Sequence, residues 1–311
     1  LLLLTLLFSS SSITATTEHD HDSWSEILSQ VVQEKKTLFG VETSVLDYVA
    51  LRKNPQFRTY LQQLTYWNND TLSSSQSSPF LSLDDMTLST EIKKSKGASN
   101  DSDDDEKLAL FLNAYNAWII FLVASKPCKF QFGRWCYPIK SVWDMGTSRK
   151  KQIFDEKFAF VSSNHAYSLN ELEHELKMEY STMARELYTC LFSASISGPD
   201  MRREAFDART VRQQIKSAAR EFLANESKGM RIDRTKNLLY VSRIFDWNRA
   251  DYTNEDTGVH LIDFLIEYAP SESDREYLVA HRNDFLKLPP DSSSRIKFMK
   301  FDWRLNKAEA L

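Results

Sequence analysis

Apolar positions along the chain fall into helix-length runs separated by polar breaks. Trp24, Ile27, Leu28, Val31, Val32 and Leu38 recur at helical spacing until Gly40 interrupts them, which predicts a helix ending there. Pro55 to Leu64 resumes the pattern, with Pro55 at a helix start and Phe57, Tyr60, Leu61 and Leu64 on one side. From Glu106 to Ala124 the chain is apolar nearly all round, which is the mark of a buried central helix. A membrane span is the rival for that run. Its apolar stretch is about seventeen residues and contains Asn113 and Asn116, whereas a span needs about twenty, so no membrane span is expected in the mature chain. Further helical patterns cover 169–180, 182–193, 210–225 and 258–269, and β-favouring runs cover 152–163, 237–242 and 296–303. This order predicts an α+β fold: a mostly helical single domain with a buried central helix and one small antiparallel sheet. The expected domain spans 38–306, preceded by a tail and helix at 18–37 and followed by a short tail at 307–311.

Two stretches fall outside the helical pattern. Leu1 to Phe8 is apolar except for Thr5 and is followed by serines and Ile13-Thr14-Ala15, the arrangement of a secretory apolar segment with a small-residue cleavage site. Residues 1–17 are therefore read as a signal peptide remnant, and the expected location is outside the cell or in the secretory lumen. Residues 69–105 are rich in serine and end in an acidic run, and are read as a polar surface insertion. Asn69, Asn100 and Asn225 each begin a glycosylation acceptor tripeptide, in keeping with export. The His19-Asp20-His21-Asp22 alternation sits in the N-terminal tail and is read as solvated, with no metal site expected.

Composition narrows the function. Lys and Arg number 39 against 43 Asp and Glu, a net charge of −4, and such a chain lacks the basic excess of a nucleic-acid binder. The 7 glycines are widely spread, which excludes phosphate loops and dinucleotide fingerprints, so no cofactor is expected. Of the 3 cysteines, Cys128 and Cys136 flank a short segment with a turn-permitting Gly133 and form the natural pair in an oxidising compartment. Cys190 is then free, and in its apolar stretch it reads as a buried small hydrophobe.

Chemistry concentrates in three places. Asn113 and Asn116 lie three apart on the central helix, flanking Tyr115, and two buried amides demand partners: a loop backbone to clamp, or a ligand. Ser168-Leu169-Asn170-Glu171 is a capping box, and His174 falls opposite the Leu169, Leu172, Leu176 stripe of the helix it starts. His174 is thus either solvent-exposed or a titratable group on a second surface. A zinc-protease motif fails, because Met178 stands where the second histidine belongs. Ser193, Ser195 and Ser197 alternate in a tight loop before Gly198-Pro199, where they cap backbone groups or offer a nucleophile.

Several separated segments together resemble the domain of unknown function 547 family, over about 38–306. They are Leu38 to Leu51 followed by Tyr60 to Leu64, which look like the family's opening helices, then Phe111-Leu112-Asn113-Ala114-Tyr115-Asn116-Ala117, Ser168 to His174, Ser193 to Pro199, Leu239 to Trp247 with Asp251 and Tyr252, and Phe301 to Asn306. The resemblance implies no reaction, since the family's name records that its biochemistry is not established. Many members resemble Cys-Ala-Ser-x-Ser-Cys-Pro in the loop, whereas this chain has Ser193 and Gly198 at the cysteine positions. The expected function is a polar cleft that binds a small molecule or peptide and hydrolyses or transfers an acyl group. In that reading His174 is the base, Ser193 or Ser195 the nucleophile, and Asn113, Tyr115, Asn116 and Ser197 line the cleft. The alternative is a non-catalytic binding or protein-interaction module in which the same groups only tie the central helix to its neighbours.

Overall fold

The N-terminal helix is shorter than its apolar spacing predicts. In the computed structural model of the chain, residues 21–67, 101–132, 134–145, 153–162, 165–254 and 256–308 are described. The expected signal segment 1–17, His19 and Asp20, residues 69–100 with Asn69 and Asn100, and Gly133 lie outside them. α1 (Asp22–Val31) buries Trp24, Ile27, Leu28 and Val31. The chain then becomes a strand, β1 (Val32–Leu38), which pairs antiparallel with β2 (Val41–Leu46). The helix to Gly40 is thereby corrected, and so is the reading of Leu38 to Leu51 as an opening helix, since Val41–Leu46 is a strand and the chain becomes helical only at Tyr48. Between Val32 and Leu38 the side chains are exposed polar ones, so no stripe remains to hold a helix, and Gly40, at φ +85°, serves the hairpin turn. The reading of His21 as part of a solvated tail is also corrected: its ring is buried, stacked on Trp67 at 4.5 Å, with Nδ1 2.7 Å from the Tyr60 hydroxyl.

α2 (Tyr48–Lys53) and α3 (Pro55–Tyr66) follow, capped by the side chains of Asp47 and Asn54. α4 (Asp101–Ser125) is the central helix. It begins five residues before the expected start, so the end of the acidic run, read as surface insertion, is helical. Arg212 explains part of this, because its guanidinium bonds Asp105 at 2.6 Å and Asp104 at 3.3 Å. By length and composition the segment Asp103–Ser125 could cross a membrane, with a mean hydropathy of 1.7, but 83% of its most apolar window is buried inside the fold.

β3 (Cys128–Phe132) and β4 (Trp135–Pro138) form a hairpin closed by a Cys128–Cys136 disulfide, with Cys190 free and buried. β5 (Ala159–Phe160) and β6 (Ala166–Tyr167) make a second, very short pair. α5 (Leu169–Glu179) starts at the predicted capping box: the Glu171 amide donates to Ser168 Oγ at 3.1 Å, and the Ser168 amide donates to Glu171 Oε2 at 2.8 Å. The helix expected over 182–193 is only one turn, α6 (Ala184–Leu187); beyond it the chain unwinds into a loop that α4 holds. α7 (Val211–Ala224) then leads to β7 (Met230–Asp233) and β8 (Leu238–Val241). α8 (Ile244–Trp247), α9 (Arg249–Tyr252), α10 (Leu261–Glu267) and α11 (Glu272–Ala280) follow, and β9 (Ile296–Phe298) ends the series.

The fold is α+β and mostly helical, but its strands do not form one antiparallel sheet. They are divided among small sheets, and in the three-stranded one, ordered β7-β8-β9, β8 and β9 run parallel. The long helical excursion between them permits that parallel return. Two apolar clusters hold the chain together, one around α4 with α1, α3 and α5, the other around the three-stranded sheet, α10 and α11. α7 joins them: Val211, Ile215 and Ala218 pack in the first cluster, Ala219, Phe222 and Leu223 in the second. Gly229 follows α7 so closely that a Cβ there would lie 1.7 Å from the Phe222 carbonyl oxygen.

A candidate polar cleft between the hairpin and helix seven

Both buried amides of α4 bond loop backbone through their nitrogen and their oxygen. Asn113 Nδ2 donates to the Phe206 carbonyl at 2.8 Å while its Oδ1 accepts from the Phe206 amide at 2.9 Å. Asn116 Nδ2 donates to the Cys190 carbonyl at 3.1 Å, and its Oδ1 accepts from the Phe192 amide at 2.9 Å. Each amide meets the donor and acceptor needs of an irregular segment that no secondary-structure ladder could satisfy. Tyr115 is buried between them, and burial, with Glu173 nearby, pushes its hydroxyl well above the usual tyrosine range.

The serine loop is stitched to the C-terminal segment. Ser193 Oγ and Ser195 Oγ are 2.7 Å apart, the Ile196 amide donates to the Arg304 carbonyl at 2.9 Å, and Ser197 Oγ accepts from the Asp302 amide at 2.9 Å. Ala194 takes φ +53° to make this turn. A Cβ at Gly198 would lie 2.1 Å from Ser193 Oγ and 3.4 Å from Ser193 Cβ. Positions 193 and 198, where the resemblance places two cysteines, thus face each other.

His174 is exposed on α5, and among the described residues no hydrogen bond joins it to Ser193, Ser195 or Ser197. Its helix presents a different polar group inward. Lys177 Nζ lies 3.0 Å from Asp251 Oδ2 and 5.0 Å from the centre of the Tyr188 ring, and the Tyr188 hydroxyl donates to the same carboxylate oxygen.

The cleft itself opens between the β1–β2 hairpin, α7 and the segment 200–206, with a volume of about 840 Å³. Of the residues expected to carry catalysis or to line a cleft, only Asn116 lines it; Asn113, Tyr115, His174, Ser193, Ser195 and Ser197 do not. Its distinctive wall is Asp200. Asp200 Oδ1 accepts from the Ser44 amide at 2.5 Å, from Thr43 Oγ1 at 3.1 Å and from Lys228 Nζ at 2.7 Å. Lys228 has no exposed side-chain surface, whereas the Asp200 side chain is 42% exposed. Burial draws the Lys228 ammonium below the ordinary lysine value, and Asp200 opposes that shift. Arg202 stands beside Asp200 on the wall, paired with Glu204 and 3.9 Å from Glu221, with its Nε buried and lacking a hydrogen bond. Five carboxylates and three cationic side chains line the cleft, an acidic excess. Cys190 also reaches it, but burial pushes that thiol up to about 12, which favours the thiol over the thiolate at neutral pH.

Asp200, Lys228, Arg202 and Glu221 were not legible as a site. Asp200 directly follows Gly198-Pro199, Lys228 is one charged residue in a polar stretch, and only the tertiary fold brings Thr43, Asp200 and Lys228 together. Asn225, the acceptor asparagine among the described residues, donates its Nδ2 to the Glu42 carbonyl at 2.8 Å and so ties β2 to the end of α7. No group of three or more His, Cys, Asp or Glu is placed to hold a metal ion among the described residues.

A mostly helical α+β chain with polar clamps on a buried central helix is the architecture in hand. Residues 99–223 match the family described as protein of unknown function, DUF547. The matched segment contains α4, α5, the serine loop, Asp200 and all of α7 but its last residue. No curated protein and no solved structure matches the chain.

Proposed function

We propose that this chain is a binding module whose cleft takes a small polar molecule or short peptide bearing a cationic group. The observation that carries this is Asp200: one carboxylate oxygen is held by a buried lysine, a hydroxyl and an amide, while the side chain still faces the cleft. A carboxylate so fixed is pre-organised for a second cation, because its orientation is set before any ligand arrives. Glu204 and Glu221 add negative charge at the rim, and Arg202 gives a counterpart for a ligand carboxylate.

Binding is favoured over acyl chemistry. A serine nucleophile needs a base within hydrogen-bond reach, and His174 stands exposed without a bond to the serine loop. The bonds of Asn113 and Asn116 to loop backbones likewise support their role as clamps. Export is part of the proposal: the apolar N-terminal segment of the sequence and the Cys128–Cys136 bridge support a secretory setting.

Titration calorimetry with a panel of basic, neutral and acidic dipeptides tests this. The parent should bind basic dipeptides, and Glu204→Gln combined with Glu221→Gln should weaken them by roughly tenfold, as about 1.4 kcal/mol of lost charge pairing would. Equal affinity for acidic dipeptides, or no effect of the double variant on basic ones, would contradict the reading.

A further inference from the structure

The β3–β4 hairpin displays an aromatic face. Its register sets Phe130 opposite Tyr137 and Phe132 opposite Trp135. Alternate residues of a strand point the same way and directly opposed partners share a face, so all four rings stand on one side of the ribbon. The Phe130 and Tyr137 rings stack at 4.9 Å. Phe132 is 83% exposed and Trp135 82%, and none of the four belongs to either apolar cluster. Two strands with an uncovered apolar face are marginal in water, and here the Cys128–Cys136 bridge closes the ribbon.

Charge identifies what the face fits. Between 126 and 145 the chain carries Lys126, Lys129, Arg134 and Lys140 against the single acid Asp144, although its total formal charge is −4. Lys129 is paired with Asp144 at 2.7 Å and Lys126 with Glu156 at 3.8 Å. Arg134, beside the most exposed rings, and Lys140 have no ion pair among the described residues. Trp and Tyr rings favour the headgroup level of a bilayer, Phe the acyl boundary, and basic side chains the anionic headgroups.

We propose that this disulfide-closed hairpin docks the protein on a membrane surface containing anionic lipid, with Phe132 and Trp135 seated at the interface and Arg134 among the headgroups. The test is co-sedimentation of the full chain with vesicles of phosphatidylcholine alone and of phosphatidylcholine with phosphatidylserine. The parent should sediment with the phosphatidylserine vesicles and dissociate as salt is raised. Phe132→Ser combined with Trp135→Ser should reduce partitioning at least roughly tenfold, and Arg134→Glu roughly fivefold or more. Far-ultraviolet circular dichroism and an intact bridge would establish that the variants remain folded. Failure of the parent to sediment, equal sedimentation of the double serine variant, or equal binding to both vesicle types would overturn the proposal. Capture by an acidic polypeptide without any vesicle binding would assign the face to a protein partner and overturn it as well.

Discussion

Lys228 Nζ lies 2.7 Å from Asp200 Oδ1, a lysine without exposed surface joined to a carboxylate on the wall of the cleft. Removing one partner of a buried pair leaves the other uncompensated, at a cost of about 3 to 5 kcal/mol when both are buried. Asp200 keeps part of its hydration, so Lys228→Met should cost less, roughly 2 to 3 kcal/mol in denaturant unfolding. Parent-like stability would mean that Lys228 is not held as described.

The amide clamps should be costly to remove. Asn113→Leu and Asn116→Leu each leave a buried backbone donor and acceptor unpaired, and each should lower stability by roughly 1 to 3 kcal/mol. Chemical denaturation of the two variants checks this. His174→Ala, on the exposed side of α5, should stay within about 0.5 kcal/mol of the parent.

Stability should fall above the ordinary tyrosine value. Burial raises the hydroxyls of Tyr60, Tyr115 and Tyr252 well above 10.0. Near that pH the unfolded chain releases protons that the folded chain retains, so this contribution is complete below pH 10 and is lost as the pH climbs beyond it. Lys228 acts in the opposite sense. Its folded value lies below 10.5, so stability gains as pH rises through that lowered value towards the ordinary one. Unfolding curves across the alkaline range should show the high-pH loss in both parent and Lys228→Met, with the gain before it present only in the parent.

Positions 193 and 198 should accept a cross-link. A Cβ at 198 would stand 3.4 Å from Ser193 Cβ, close to the range spanned by disulfides. Ser193→Cys combined with Gly198→Cys should form a bridge under oxidising conditions, detected by peptide mapping without reduction. Two free thiols at those positions would contradict the loop geometry. The same mapping on the parent should find Cys128 bridged to Cys136 and Cys190 free.

The sequence disclosed what depends on local pattern and concealed what depends on distant pairing. The all-round apolar run became α4, and Ser168 and Glu171 formed the capping box, because both signals sit within a few turns of one helix. The stretch after Val32 misled because Val32 and Leu38 also fit helical spacing. The polar residues between them are satisfied in a hairpin, and it is β2 rather than the core that pairs with them. Asn113 and Asn116 could be flagged as needing partners, but Phe206, Cys190 and Phe192 could not be named. The cleft was least legible. Lys228 lies in a polar turn, and nothing local foretells that Thr43 and Asp200 will cover it.

The most direct test of the cleft is methyl-resolved NMR of the parent titrated with an arginine-containing dipeptide, following Met201 and Ala218 on its wall. The account predicts saturable shifts at these two methyls, with Ala184 and Met178 on the α5–α6 side unmoved. Shifts centred on α5 and α6, or none at Met201 and Ala218 up to millimolar dipeptide, would contradict it.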